Sequence, residues 1–138
     1  ERLGLHDRIR DTLNEQESLP AAGQGALGIE IAAHRLDLLE ALNPLNHPQT
    51  HACVSAERAL SRALDGSCQV PLAAYCTEQN GMLRLRGFVG RPDGSEMLEA
   101  EGEAAIAYAE ELGLSVAEKL ANAGAKNLIK SILAEQKQ

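Results

Sequence analysis

The pattern of apolar and polar positions changes period near residue 70. Before that point the spacing is helical. Leu36, Leu39 and Leu42 predict a helix over 34–43 that stops before Pro44, and apolar residues at 53, 56, 60, 63 and 64 predict a longer one over 48–65. Asn46-His-Pro-Gln-Thr50 is a start signature for the second, with Pro48 near its first position, and Asp65-Gly66 is a C-terminal stop. Beyond it the period is two. Val70, Leu72, Ala74 and Cys76 share one face of a strand ending at Asn80-Gly81, a type I′ hairpin signal. Met82–Val89 follows, with Leu83, Leu85 and Val89 on one face and Arg84, Arg86 and Phe88 on the other. Arg91-Pro-Asp-Gly94 makes a second turn, and pairing Gly90 with Ser95 sets Arg86 opposite Glu99, Arg84 opposite Glu101 and Phe88 opposite Met97. Helical spacing then returns over 105–122 (Ala109, Leu112, Val116, Leu120, with Gly113 as a point of bending or interruption) and over 125–136.

The first 45 residues are less self-sufficient. Leu5, Ile9 and Leu13 predict a short helix over 3–14, Pro20, Gly23 and Gly25 break the chain into a loop, and Leu27, Ile29 and Ile31 alternate as a strand over 27–32. A single strand is not stable alone, so this segment needs partners. The expected fold is α+β: a three-stranded antiparallel sheet with helices packed on one face, self-contained over 46–138. Residues 1–45 are expected to be remnants of neighbouring α/β domains. A chain opening at Glu1 is expected to be processed or to be the C-terminal piece of a longer protein, and an orphan strand edge favours self-association of the isolated piece.

Charge and composition narrow the function. A net charge of -7 argues against non-specific binding to nucleic acid or anionic membranes, and no apolar run reaches membrane-spanning length. Tyr75, Tyr108 and Phe88 are too few for a base-stacking surface. Three cysteines, with no CxxC and no visible signal peptide, point to a reducing, cytoplasmic setting.

Cys68 stands in a short loop between helix stop and strand start, where a thiol is presented to a partner; it is either functional or incidental. Arg58 and Arg62, at i and i+4, repel mildly unless an anion lies across both; otherwise they belong to a solvated helix face. Gly23-Gln24-Gly25 is either an ordinary tight turn or a place of close backbone approach, with Gln24 offering donor and acceptor. His47, His51 and Cys53 lack a fourth partner for a metal site, and Cys53 falls on the apolar stripe, so no metal is expected. Glu96, Glu99, Glu101 and Glu103 read as a solvated, partly Arg-paired strand face. From these residues alone, a non-catalytic α+β ligand-binding or regulatory module with an incidental cysteine remains an alternative.

Two stretches taken together carry a resemblance. Glu57-Arg58-x-Leu60-x-x-x-Leu64-x-Gly66-Ser67-Cys68-x-Val70-Pro71-Leu72-Ala73 resembles the cofactor-attachment signature of the porphobilinogen deaminase (hydroxymethylbilane synthase) family, and Leu19-Pro-Ala-Ala-Gly-Gln-Gly-Ala-Leu-Gly-Ile-Glu30 resembles its GQG segment. Gly66-Ser67-Cys68 departs from the Gly-Gly-Cys of many members but keeps the turn small. The resemblance implies a transferase of tetrapyrrole and haem biosynthesis. It joins four porphobilinogen units, with loss of ammonia, into hydroxymethylbilane. It also implies a dipyrromethane cofactor held by a thioether to Cys68, with Arg58 available to the pyrrole carboxylates and Ser67, Gln24 and Gly25 near the cofactor. The family's missing N-terminal part carries the catalytic aspartate and most carboxylate-binding arginines. The full-length protein is expected to be a monomer, and this chain alone to be inactive.

Overall fold

The computed structural model describes residues 2–64 and 71–135. The expected helix stop at Asp65-Gly66, together with Ser67, Cys68 and Val70, lies outside the described residues. Element order is α1 (Leu36–Leu42), α2 (Pro48–Ala63), β1 (Leu72–Gln79), β2 (Met82–Gly90), β3 (Met97–Ala105), α3 (Ala109–Asn122) and α4 (Ala125–Glu135). The three strands form an antiparallel sheet in the order β1-β2-β3, and α2 and α3 cover one of its faces. No helix among the described residues is long and apolar enough to cross a membrane.

Local chemistry accounts for the elements. Pro48 occupies the first turn of α2, and the His47 side chain caps it by accepting from the Thr50 amide at 3.3 Å. Asn80 (φ 54°) and Gly81 (φ 79°) both take left-handed conformations, as the type I′ turn between β1 and β2 demands. Leu83, Leu85 and Val89 from β2 are fully buried in one core with Leu60 of α2, Leu64 just past its end, and Leu112, Val116 and Leu120 of α3. α4 adds Leu128, Ile129 and Ile132 to the same core.

Gly113 neither bends nor interrupts α3. It marks the crossing of α3 over α2: a Cβ there would collide with the Ala56 carbonyl oxygen and lie 2.6 Å from Ala59 Cβ. Across the interface, Gly87 of β2 performs the same service for the sheet, since a Cβ would sit 2.6 Å from Leu60 Cδ1. Small residues let backbones approach, and the large side chains fill the space around them.

Several expectations are corrected. Residues 3–14 hold only one 3₁₀ turn, His6–Arg8, and Leu5, Ile9 and Leu13 remain exposed. A short helix whose apolar stripe meets no partner has little to stabilise it. No strand forms over 27–32; Leu27 is 100% exposed and Ile29 60%, because no neighbouring edge pairs with them. The β2–β3 register is displaced by two residues: Gly90 pairs with Met97, Arg86 with Glu101, Arg84 with Glu103 and Phe88 with Glu99. The cause is a longer loop. The Gly94 amide closes the expected turn on the Arg91 carbonyl at 3.0 Å, but Arg91 also donates its own amide to the Glu96 carbonyl at 2.8 Å, which draws Ser95 and Glu96 into the connection. A shift of two preserves face parity, so the charge pairing survives diagonally, with Arg84 Nη2 2.9 Å from Glu101. β3 extends through Ala105, and α3 starts at Ala109 after a 3₁₀ turn rather than at 105.

Replacing Gly113 with alanine sets two effects against each other. Helix propensity favours alanine by about 1 kcal/mol, whereas overpacking costs typically about 1–3 kcal/mol. Backbone lies in the way, which leaves little room to relax. Gly113→Ala is therefore expected to lower the midpoint of denaturant unfolding; an unchanged or raised midpoint would contradict the packing described.

Candidate functional site

β1 is an edge strand, and its free edge faces the segment Pro20–Gly23. Ala74 and Cys76 stand two apart, so both amides point off the same edge. The Ala74 amide donates to the Pro20 carbonyl at 3.1 Å. The Cys76 amide donates to Glu57 Oε1 at 2.8 Å, and the Gly23 amide donates to Glu57 Oε2 at 2.7 Å. Glu57 therefore joins three parts of the chain: α2, the β1 edge and the glycine turn. It is the buried charged residue of the described core, 6% exposed. Burial pushes its carboxyl above the ordinary value, and the two amide hydrogen bonds partly oppose that rise.

The glycine turn is compact. Gly23 and Gly25 have φ of 75° and 83°, the Gln24 amide donates to the Ala21 carbonyl at 3.0 Å, and Gln24 Oε1 accepts from the Ala21 amide at 3.1 Å. Turn, α2 and β1 enclose an open cleft of about 600 Å³, lined by Gln24, Gly25, Cys53, Glu57, Tyr75 and Cys76 among others. A second cavity of about 880 Å³ adjoins it, sharing Gly25, Ala26, His47, Thr50 and Val54, and carries Arg58 and Arg62 beside the apolar Leu27, Leu39 and Leu42.

The five residues singled out from the sequence are thus distributed as follows. Gln24 and Gly25 are exposed at the first cleft, and Arg58 is exposed in the second cavity. Ser67 and Cys68 lie outside the described residues, between the buried Leu64 at the end of α2 and Pro71, whose carbonyl accepts from the Gly90 amide at 3.1 Å. Arg62 does not share an anion with Arg58 by default: its guanidinium lies 3.6 Å from Glu110 of α3. Among the described residues Arg58 makes no ion pair.

The other two cysteines are close to one another. Cys53 and Cys76 both line the first cleft, and both are free. Burial raises the Cys53 thiol, and it drives Cys76 well above the ordinary thiol range. Since the thiolate is the nucleophile, neither is set up to react at neutral pH.

The sequence reading gave Glu57 no role of its own, naming it only within the motif that begins Glu57-Arg58. The signal was present in the spacing: 53, 57, 60 and 64 form one i, i+4, i+7, i+11 stripe, which places Glu57 among the apolar residues rather than beside them. Cys53, placed on the buried stripe, is only half-buried because the buried face centres on Ala56, Glu57 and Leu60.

Because the folded Glu57 carboxyl titrates above its ordinary value of 4.5, the folded state holds more protons than the unfolded state just above that pH. Its ionisation therefore lowers the unfolding free energy as pH rises from 4.5 through the raised value, with a slope of at most about 1.4 kcal/mol per pH unit. In paired denaturation curves, the stability of the wild type minus that of Glu57→Gln should shrink over this interval. A difference that grows with pH would refute the assignment.

Comparison with known proteins gives concordant matches. Residues 51–122 match the family model for the porphobilinogen deaminase C-terminal domain, and residues 1–40 match that for the porphobilinogen deaminase "dipyromethane cofactor binding domain". The chain is 66% identical over 133 residues to a porphobilinogen deaminase of Neisseria meningitidis serogroup A, covering 96% of this chain and 43% of that protein. It is 58% identical over 134 residues to that of Chromobacterium violaceum, covering 97% and 43%, and 53% identical over 133 residues to that of Laribacter hongkongensis, covering 96% and 43%. The chain therefore spans less than half the length of these relatives.

Proposed function

This chain belongs to the porphobilinogen deaminase family, and on that premise we propose that it is the cofactor-carrying portion of a transferase acting in tetrapyrrole biosynthesis. The complete enzyme condenses porphobilinogen units, with loss of ammonia, into hydroxymethylbilane. Residues 46–138 form the domain that carries a dipyrromethane on a thioether to Cys68, and residues 1–45 belong to the neighbouring α/β structure. The observation that carries this reading is the sequence Gly66-Ser67-Cys68 inside the matched stretch 51–122.

The described residues fit such a group. A dipyrromethane is elongated and carries several carboxylates. It calls for an open cleft with a cation and neutral donors rather than an enclosed apolar pocket. The two adjoining cavities are open, Arg58 supplies an exposed guanidinium, and Gln24, whose carbonyl oxygen is occupied within its own turn, retains its amide NH2 as a donor. Arg58 suits a carboxylate because its fork of donors meets two oxygens at once. When bound, the cofactor supplies the primer on which the chain grows. The protein's part is to hold the tether, orient the carboxylates and keep competing thiols quiet. The raised Cys53 and Cys76 thiols support Cys68 as the attachment point. A thioether resists hydrolysis and reduction, which suits a group retained through many turnovers in a cytoplasmic enzyme.

The exposed apolar side chains of the first 45 residues, among them Leu3, Ile9, Leu27 and Leu36, support the view that this part is completed by other structure. Left alone, that surface favours self-association of the 138-residue chain, whereas the complete enzyme is a monomer.

Intact-mass measurement on a protein of the relatives' full length tests the reading. The adduct expected is that of one dipyrromethane, lost in Cys68→Ser together with essentially all hydroxymethylbilane formation. An adduct that persists in Cys68→Ser, or that maps to Cys53 or Cys76, would overturn it. The 138-residue chain by itself should form no hydroxymethylbilane from porphobilinogen; measurable turnover would show that the catalytic groups lie within it.

A further inference from the structure

We infer that Glu57 is a positioning residue for the cleft: through the Gly23 amide it sets where the Gly23-Gln24-Gly25 turn stands relative to the β1 edge. The inference rests on the function proposed above for its catalytic consequence, and on geometry alone for its structural one.

The turn has few other holds. Its internal hydrogen bonds, Gln24 amide to Ala21 carbonyl and Ala21 amide to Gln24 Oε1, fix its shape but not its position. Position comes from Ala22, which packs against the edge of the core, and from two long-range bonds, Ala74 amide to Pro20 carbonyl at 3.1 Å and Gly23 amide to Glu57 Oε2 at 2.7 Å. Only the second acts within the glycine turn itself. Past it, Leu27 and Gly28 are exposed, and among the described residues no long-range hydrogen bond holds the C-terminal side of the turn. Cys76, in contrast, sits in β1, whose position is secured by the whole β1–β2 ladder. The two oxygens of Glu57 therefore do unequal work. Oε1 closes an edge amide on a strand that is already held, and Oε2 fastens a loop that is not.

This asymmetry makes Glu57→Gln informative. Glutamine is close to isosteric but carries one acceptor oxygen and one NH2 group, and the site presents two N–H donors. One amide must lose its partner. The strand cannot move away and the loop can, so the turn is released while the core beneath it stays packed.

The test uses a protein of the relatives' full length with its cofactor in place, in wild-type and Glu57→Gln forms. Leu128→Ala in α4 serves as a control that weakens the core away from the cleft. In Glu57→Gln, hydrogen exchange at the Gly23 amide should accelerate at least tenfold, while Leu83 and Leu85 in β2 keep their protection. Below the melting transition, kcat with porphobilinogen should fall by about ten- to a hundredfold, the scale of loss that small misplacements produce, and Leu128→Ala should leave kcat near wild type. Gly23 exchange unchanged in Glu57→Gln, or kcat no lower than in the Leu128→Ala control, would overturn the inference. If the wild-type protein fails to consume porphobilinogen, the proposed function falls, and the exchange measurement still decides the role of Glu57.

Discussion

A single buried carboxylate holds the described structure together where its sequence is least able to do so. β1 lies at the edge of the sheet, and an edge leaves a row of unpaired amides. Pro20 and Glu57 take two of them, at Ala74 and Cys76, and Glu57 at the same time binds the turn at Gly23. The balance of energies explains why this arrangement is economical. Charge-assisted hydrogen bonds contribute about 1.5–3 kcal/mol each, against a desolvation cost for the carboxylate of comparable or larger size. Glu57 is thus a weak source of net stability and a strong source of position: removing it leaves two amides unsatisfied, and retaining it fixes how two stretches 34 residues apart meet. Those stretches belong to two differently described parts of the same family, residues 1–40 and 51–122.

What could be read from the sequence followed from local rules. The period-two pattern from Leu72 onward, the Asn80-Gly81 turn and the Ala109-Leu112-Val116-Leu120 stripe need only near neighbours, and all appear in the structure. The failures involve distance along the chain. The β2–β3 register depended on whether Ser95 and Glu96 joined the strand or the loop, and charge pairing did not discriminate because Arg84 reaches Glu101 diagonally as readily as directly. The elements expected over 3–14 and 27–32 depend on surfaces that the described residues do not supply. Gly113 was suspected of weakening a helix because its partner, the Ala56 backbone, lies across an interface that periodicity does not reveal.

The site was legible in a different way. Arg58, Gln24 and Gly25 were identifiable as types capable of binding a carboxylated ligand, but only folding shows that they line two adjoining cavities that meet at Gly25, Ala26, His47, Thr50 and Val54. Glu57 escaped notice because a glutamate beside an arginine on a helix is usually solvated. Its burial goes with its place on the α2 face that carries the buried Ala56 and Leu60, from which its carboxylate reaches the Cys76 amide of β1. Burial also raises the Cys53 and Cys76 thiols, which line the same cleft. Neither Cys53 nor Cys76 is set up to react at neutral pH, which is compatible with the attachment proposed at Cys68.

The dual contact of Glu57 is open to direct observation by following backbone amide proton shifts across a pH titration. Gly23 and Cys76 are 53 positions apart in sequence, as 76 minus 23, yet both amides report on one carboxyl. They should titrate together, with a common midpoint above the ordinary glutamate value of 4.5, and both transitions should vanish in Glu57→Gln. Separate midpoints, or a shared transition that persists in Glu57→Gln, would contradict the account.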